Sequence, residues 1–493
     1  MSSIEADIEK NKSEGQVEYA SSSEDHPETT EISEEHKQYL IAKHGTYELA
    51  PLPSMDDNDP LNWSNGFKWL QLGMVAFHAF MATFIASGLV PVVGLYSEVF
   101  GMPTADITYL VSVQIILVGV CPLFWTPLIV RYGQRLLLII SAFGTMCFSL
   151  GSVFSNNYGS MMAMRCLQAI MISPSLAAGG LVVNDTTFAH QRGSRSGVWA
   201  IAINLGTMAG ALFMGFVAEH QDVKYIHVVF TCINAAQVLA YFFFGKETAW
   251  NYQDTSRNVT NGMKQLRFKA IFPERTITLK GIFYPLTFFA NWRVFVATFA
   301  YTTLFVYDNI ALNVEIPEVM YAKFQLGPQA LGLQFVSFII GAVIGEVGGF
   351  LSDKIVAWGQ KKGRGPSFRL WVTYPGFAAS VAGLVVFGVE IDRANTWNIK
   401  PLIGCALASF GLQIVTSPFI AYCIDMDHSQ AGAIILFITV FRQTLSFVGP
   451  FYFPIMFQNL GFTVAYAVFA GLIVGLGLIP ALFLHIKEAK NGR

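Results

Sequence analysis

The chain is 493 residues long, 53% hydrophobic and 13% charged, with a formal net charge of −2. Soluble domains carry about 25% charged residues, so the composition excludes an ordinary soluble enzyme, and the near-zero balance offers no basic surface for nucleic acid. The charge is unevenly spread, with 15 of the 33 acids before Pro60.

The first element is residues 1–66, rich in Ser, Thr and Glu. Too few apolar residues are present to bury a core, so a disordered, acidic cytosolic tail is predicted. It has no apolar h-region and does not read as a cleaved signal peptide. A solvated tail is the simpler reading; phosphorylation and lysine modification are the regulatory alternative.

Beyond the tail the chain returns again and again to long apolar stretches. About 20 apolar residues cross a bilayer as a helix. The stretches 107–130, 324–345, 401–424 and 443–486 contain no Asp, Glu, Lys or Arg, and the last is long enough for two crossings divided near Pro450, Pro454 and Gly461. Spans are predicted at 67–97, 107–130, 136–156, 160–184, 196–218, 225–245, 292–314, 330–352, 369–389, 399–424, 430–452 and 462–486. This is an all-α membrane protein with 12 transmembrane helices in two six-helix halves, 67–245 and 292–486. A polar, basic loop at 246–291 joins them and a short tail at 487–493 follows. Paired halves suggest an internal repeat around a shared pathway.

Charge fixes the orientation. One set of loops carries 16 basic residues: Arg131, Arg135, Arg192, Arg195, seven in the central loop, Lys354, Lys361, Lys362, Arg364 and Arg369. The opposite set has four, Lys224, Lys323, Arg393 and Lys400. The positive-inside rule then puts both termini in the cytosol. The N-glycosylation sequons at Asn11, Asn62, Asn184 and Asn258 all fall on that side, so no glycan is expected. The six cysteines lie inside spans and read as small packing residues. The nine histidines form no metal-binding pair, and neither a metal nor a cofactor is expected.

Two loops repeat a pattern. After the second span comes Thr126-Pro-Leu-Ile-Val130-Arg131-Tyr-Gly133-Gln-Arg135; after the eighth comes Gly349-Phe-Leu351-Ser-Asp353-Lys354. Both resemble the G-x-L-x-D-R-x-G-R-R loop of the major facilitator superfamily, a tight turn whose acid meets a helix N-terminus and whose arginines latch two helices. The second copy keeps its acid, Asp353; the first has Val130 in that place and Thr126 for the opening glycine. Arg165-Cys-Leu-Gln168-Ala169 is similar to the family's R-x-x-Q-G, and Asp185 with Arg192-Gly193 to the turn that follows it. Gly206 to Gly215 falls where drug:proton antiporters carry G-x-x-x-G-P-x-x-G-G, but Ala211 replaces the proline and Met214 a glycine. The segment before the first span, with Asp59-Pro60-Leu61-Asn62-Trp63, resembles fungal twelve-span facilitators of the drug:proton antiporter type, notably the branch containing the yeast histidinol and polyamine transporter. The resemblance implies a scaffold latched by Arg131, Gly133, Arg135, Asp185, Arg192, Glu346, Gly349, Asp353 and Lys354.

Ionisable and polar residues deep in a membrane are site candidates. The resemblance implies a central cavity lined by the first, fourth, seventh and tenth helices, which here carry His78, Arg165, Tyr307, Asp308, Asn309 and Gln413. At 1.5 Å per residue, Arg165 and Asp308 both fall in the outer third of a core about 30 Å thick, on opposite halves. Two readings stand: they meet, or share a substrate, when the outer side closes, with Asp308 as the proton site, or each pairs within its own half and only stabilises packing. His78 falls near the midplane as a second proton site or a neutral hydrogen-bonding residue. Arg442 is expected to satisfy a polar network within the second half, and Asp425 to cap a helix end.

The expected function is a secondary transporter that moves a small organic molecule (xenobiotic, metabolite or polyamine-like cation) by alternating access. No P-loop is present, so an ion gradient rather than ATP is the expected drive, and the resemblance to fungal facilitators implies protons as the coupling ion. A membrane enzyme lacks its clustered catalytic groups; a non-transporting receptor on the same scaffold is the alternative. The resemblance implies a monomer in the lipid bilayer of the plasma membrane, with the vacuolar membrane as the second choice.

Overall fold

The computed structural model describes residues 33–258, 270–360, 366–427 and 430–491. Regular structure among these is helical throughout. The first half holds α1 (Glu34–His44), α2 (Asn65–Ser87), α3 (Val93–Phe100), α4 (Thr104–Val120), α5 (Pro122–Tyr132), α6 (Arg135–Val153), α7 (Tyr158–Ile172), α8 (Pro174–Thr186), α9 (Ala189–His220) and α10 (Lys224–Phe244). After α11 (Leu279–Phe283), the second half holds α12 (Trp292–Leu304), α13 (Ala311–Phe324), α14 (Pro328–Gly345), α15 (Val347–Gln360), α16 (Thr373–Arg393), α17 (Lys400–Met426), α18 (Ala431–Leu472) and α19 (Ile479–Asn491).

Hydrocarbon offers no partner to backbone N–H and C=O groups, so spanning segments must satisfy them internally as helices. Polar side chains inside the spans obey the same rule: Thr108, Thr145, Ser149 and Thr416 each donate to the carbonyl four residues back. Prolines mark the breaks, because each removes a donor. Pro122 follows a 41° bend between α4 and α5, and Pro174 opens α8. The second and fourth spans are therefore each two helices. Asn157 and Asn291 cap α7 and α12 by accepting from backbone N–H groups.

Among the described residues, ten helices are long and apolar enough to cross a membrane, or eleven with the bent α4–α5 pair counted as one. The last runs from Ala431 to Ala489, 59 residues. Straight, it would measure about 88 Å, nearly three hydrocarbon cores. It is not straight: Gly461, at φ 74° and ψ 167°, leaves the helical region between the limbs where the eleventh and twelfth spans were predicted.

The N-terminal tail departs from expectation. Residues 1–32 lie outside the described part, but 33–64 are folded rather than disordered. The acids that make this stretch look solvated are its organisers. Asp59 is buried and accepts from the N–H and hydroxyl of Ser54 and the N–H of Leu61. Asn62 is also buried and donates to the carbonyls of Ser54 and Asp56, which removes it as a glycan acceptor in the folded protein. Tyr252 of the central loop donates to Asp59, tying the segment to the bundle.

Two helix pairs form the seam between halves: α9 packs against α14, and α4 against α18. The named contacts run from mid-bundle to the end opposite the termini. Tyr109 stacks on Phe451 with centroids 5.0 Å apart, and Glu219 accepts from the Gln329 N–H at the start of α14. Gly215 permits a close approach at this end: a Cβ there would stand 2.5 Å from the Pro328 carbonyl oxygen and 3.1 Å from the Gly332 Cα. Gly215→Leu is expected to wedge this end open. An impermeant maleimide added from the face opposite the termini should label Asn309→Cys several-fold faster in the Gly215→Leu background than without it.

Candidate functional site

A central cavity of about 50 Å3 lies between the halves. Thr83 of α2 and Ile203, Asn204, Thr207 and Met208 of α9 line it from the first half. Phe305, Asn309, four residues of α17 including Gln413, and Arg442 and Gln443 of α18 line it from the second.

The seventh span positions its share by a change of helix type. Between α12 and α13, Phe305–Ile310 form a π-helical turn. Such turns add a residue within the helix and gather at functional sites. Here the turn divides its side chains among three directions. Phe305 and Asn309 line the cavity. Tyr307 packs on Phe469 at 5.4 Å. Asp308 is buried beside the Ser380 hydroxyl and near Cys405, within its own half, and its Oδ2 has no hydrogen-bond partner.

A hydrogen-bond chain crosses the seam. Asn204 Nδ2 on the first half donates to Gln413 Oε1 on the second at 3.0 Å. Gln413 Nε2 in turn donates to Glu346 Oε2. Glu346 follows α14, and its carboxylate reaches the cavity wall through Gln413, so it is placed with the centre rather than with the loop that follows α15. Sequence reasoning named Gln413 and Glu346 separately and missed Asn204. The signal available was an amide inside a span, two residues before Gly206, where the antiporter-like stretch begins.

Arg165 and His78 are fully buried inside the first half, away from the cavity lining. Arg165 donates to the carbonyls of Leu110, Ile85 and Ala86 and to Gln168 Oε1. His78 Nδ1 faces the Tyr241 hydroxyl at 3.3 Å. Arg165 and Asp308 therefore do not meet in this conformation: each is engaged within its own half. The fourth span contributes no residue to the described lining; α9 and α18 take that place.

The latch of the first half is intact despite Val130. Glu247, just beyond α10, supplies the missing acid. Its carboxylate accepts from the N–H groups of Gln134 at 2.8 Å and Arg135 at 3.0 Å, at the N-terminus of α6, and from Thr248 and Ala249. Burial pushes this carboxyl above its ordinary range, and those N–H donors oppose the shift. Gly133 at φ 92° makes room, since a Cβ there would stand 2.5 Å from Glu247 Oε2. Gln134 donates to Asp185, Arg135 to the Phe242 carbonyl, and Arg131 to the Arg275 carbonyl. In the second half Arg369 pairs with Asp425 at 3.2 Å and donates to Ser352; Asp425 thus holds an ion pair rather than a cap. Lys354 is exposed. The side chains of Arg192, Gly349 and Asp353 lie outside the described residues.

Comparison with known proteins agrees with this architecture. The sequence model of the Major Facilitator Superfamily matches residues 75–450. The efflux pump vrtL of Penicillium aethiopicum is 26% identical over 459 residues, 87% of each chain. The probable drug/proton antiporter YHK8 of Saccharomyces cerevisiae is 22% identical over 381 residues, 75% of this chain and 73% of its own. The xylose transporter XylE from E. coli, in a partially occluded inward open conformation, superposes with a TM-score of 0.60 at 14% identity, covering 85% of this chain and 97% of that one. At that identity the likeness shows the fold.

Removing the Glu247 carboxylate strands several buried N–H groups. Glu247→Ala is expected to cost about 3 kcal/mol of stability, read as a lower thermal unfolding midpoint in detergent, while Lys354→Ala at the exposed edge leaves the midpoint within about 1 °C.

Proposed function

This chain belongs to the major facilitator superfamily, and on that premise we propose that it is a secondary transporter that exports a small organic molecule, a xenobiotic or metabolite, by proton-coupled alternating access. On this reading the limbs on either side of Gly461 are separate spans, twelve helices cross the membrane, and both termini lie in the cytosol. The relatives named above as an efflux pump and a drug/proton antiporter support export and protons.

The observation that carries this reading is the Asn204–Gln413–Glu346 chain. It joins the two halves at the cavity and ends on a carboxylate. A charged acceptor makes a stronger hydrogen bond than a neutral one. Ionised Glu346 fixes the Gln413 amide so that its oxygen faces Asn204, which holds the halves together. A proton on Glu346 weakens the first bond, frees the amide to turn, and loosens the seam. The contacts at Tyr109–Phe451 and Glu219–Gln329 then define the closed exterior gate of the present state. Asp308 lies behind the lining and serves as the comparison residue.

Export against a pH gradient in proteoliposomes tests this. Glu346→Gln should retain downhill exchange and lose gradient-driven accumulation by about tenfold or more. Asp308→Asn should keep gradient dependence in whatever protein folds. Gradient dependence unchanged in Glu346→Gln would exclude that residue as the proton site; no movement in either direction by the wild type would favour a receptor.

A further inference from the structure

The central cavity contains a cation among neutral groups. Its described lining holds Arg442 and no carboxylate; the other polar members, including Asn204, Asn309, Gln413 and Gln443, are uncharged. Among the described residues Arg442 has no carboxylate partner. Nη1 donates to the Tyr301 hydroxyl at 2.8 Å, and the guanidinium carbon lies 4.5 Å from the Phe305 ring centroid. Nε is buried with no hydrogen-bond partner. Glu346, the acid nearest in connectivity, is bonded to Gln413 instead. A guanidinium at mid-span with a phenol and a ring face for company is costly in a membrane. Its planar donor fork suits a carboxylate bidentately.

Resting on the transporter reading, we propose that Arg442 anchors the substrate and that the cavity takes organic anions: a carboxylate or similar anionic oxygen group on a flat, apolar body. The body fits the rest of the wall. Phe305 offers a ring face, and Ile203, Met208 and Leu412 offer apolar surface. Asn204 and Asn309 flank this surface and can bond ring oxygens. The polyamine-like cations admitted by the sequence are disfavoured, because they would meet a like charge at the anchor.

Fluorescein and rhodamine 123 share a flat xanthene skeleton and differ in charge sign, so they are suitable probes. Fluorescence polarisation with the purified full chain should show fluorescein binding roughly tenfold or more tightly than rhodamine 123. Arg442→Gln should erase that preference and Arg442→Lys restore part of it, with unfolding midpoints reporting whether each variant is folded. Should Arg442→Gln fail to fold, competition in the wild type decides: benzoate should displace fluorescein and benzylamine should not. Equal affinity for both dyes, preference for rhodamine 123, binding of neither, or an undiminished preference in folded Arg442→Gln would overturn the proposal. Charge-selective binding without movement across a liposome wall would sink the transporter reading and leave the anion site. Transport of rhodamine 123 but not fluorescein would do the reverse.

Discussion

A polar group surrounded by hydrocarbon must find its partner within the protein, and this constraint shapes the chain at every level. It makes the spans helical, turns Ser and Thr hydroxyls back onto their own carbonyls, and confines breaks to proline and glycine positions where other groups take over. It also divides the buried ionisable groups into two kinds. Arg165 distributes its donors over three carbonyls and a glutamine of one half, which welds α2, α4 and α7 into a rigid body. Arg442, Gln413 and Glu346 sit at or beside the seam, where Gln413 bonds both to Glu346 and across to Asn204.

That division separates the contacts within a half from those between halves. Within a half, close packing and internally satisfied networks resist deformation. Between halves, the contact rests on small residues such as Gly215 and on a short amide chain, Asn204 to Gln413. Amide hydrogen bonds of this type contribute about 1 kcal/mol each, a small amount beside the packing within each half. The π turn at Phe305–Ile310 joins the two regimes, since one face of it lines the cavity while the other is locked into the second half.

The loop ends at the terminus-bearing face show a related economy. The first-half turn lacks the acid of its family pattern, yet the N-terminus of α6 still receives a carboxylate, from Glu247. A helix N-terminus needs negative charge and acceptors, not a particular chain position. The same logic orders the segment 33–64, where Asp59 accepts from the Ser54 and Leu61 N–H groups, Asn62 donates to two carbonyls, and Tyr252 ties Asp59 to the bundle.

The sequence alone determined the membrane location, the paired halves, the family and nearly every span, because apolar length, basic loops and local motifs are one-dimensional properties. It also singled out Gln413, Asp308, Asn309 and Glu346 as costly groups in lipid. Which of these share a site was decided only by tertiary structure. The π turn rotates Asp308 away from the cavity and Asn309 into it, and no local pattern around Tyr307 announces that extra residue. Asn204 and Gln413 are 209 positions apart, as are many pairs that never touch. Their meeting depends on how two separately folded halves lie against each other, and that geometry is set by the summed shape of their surfaces.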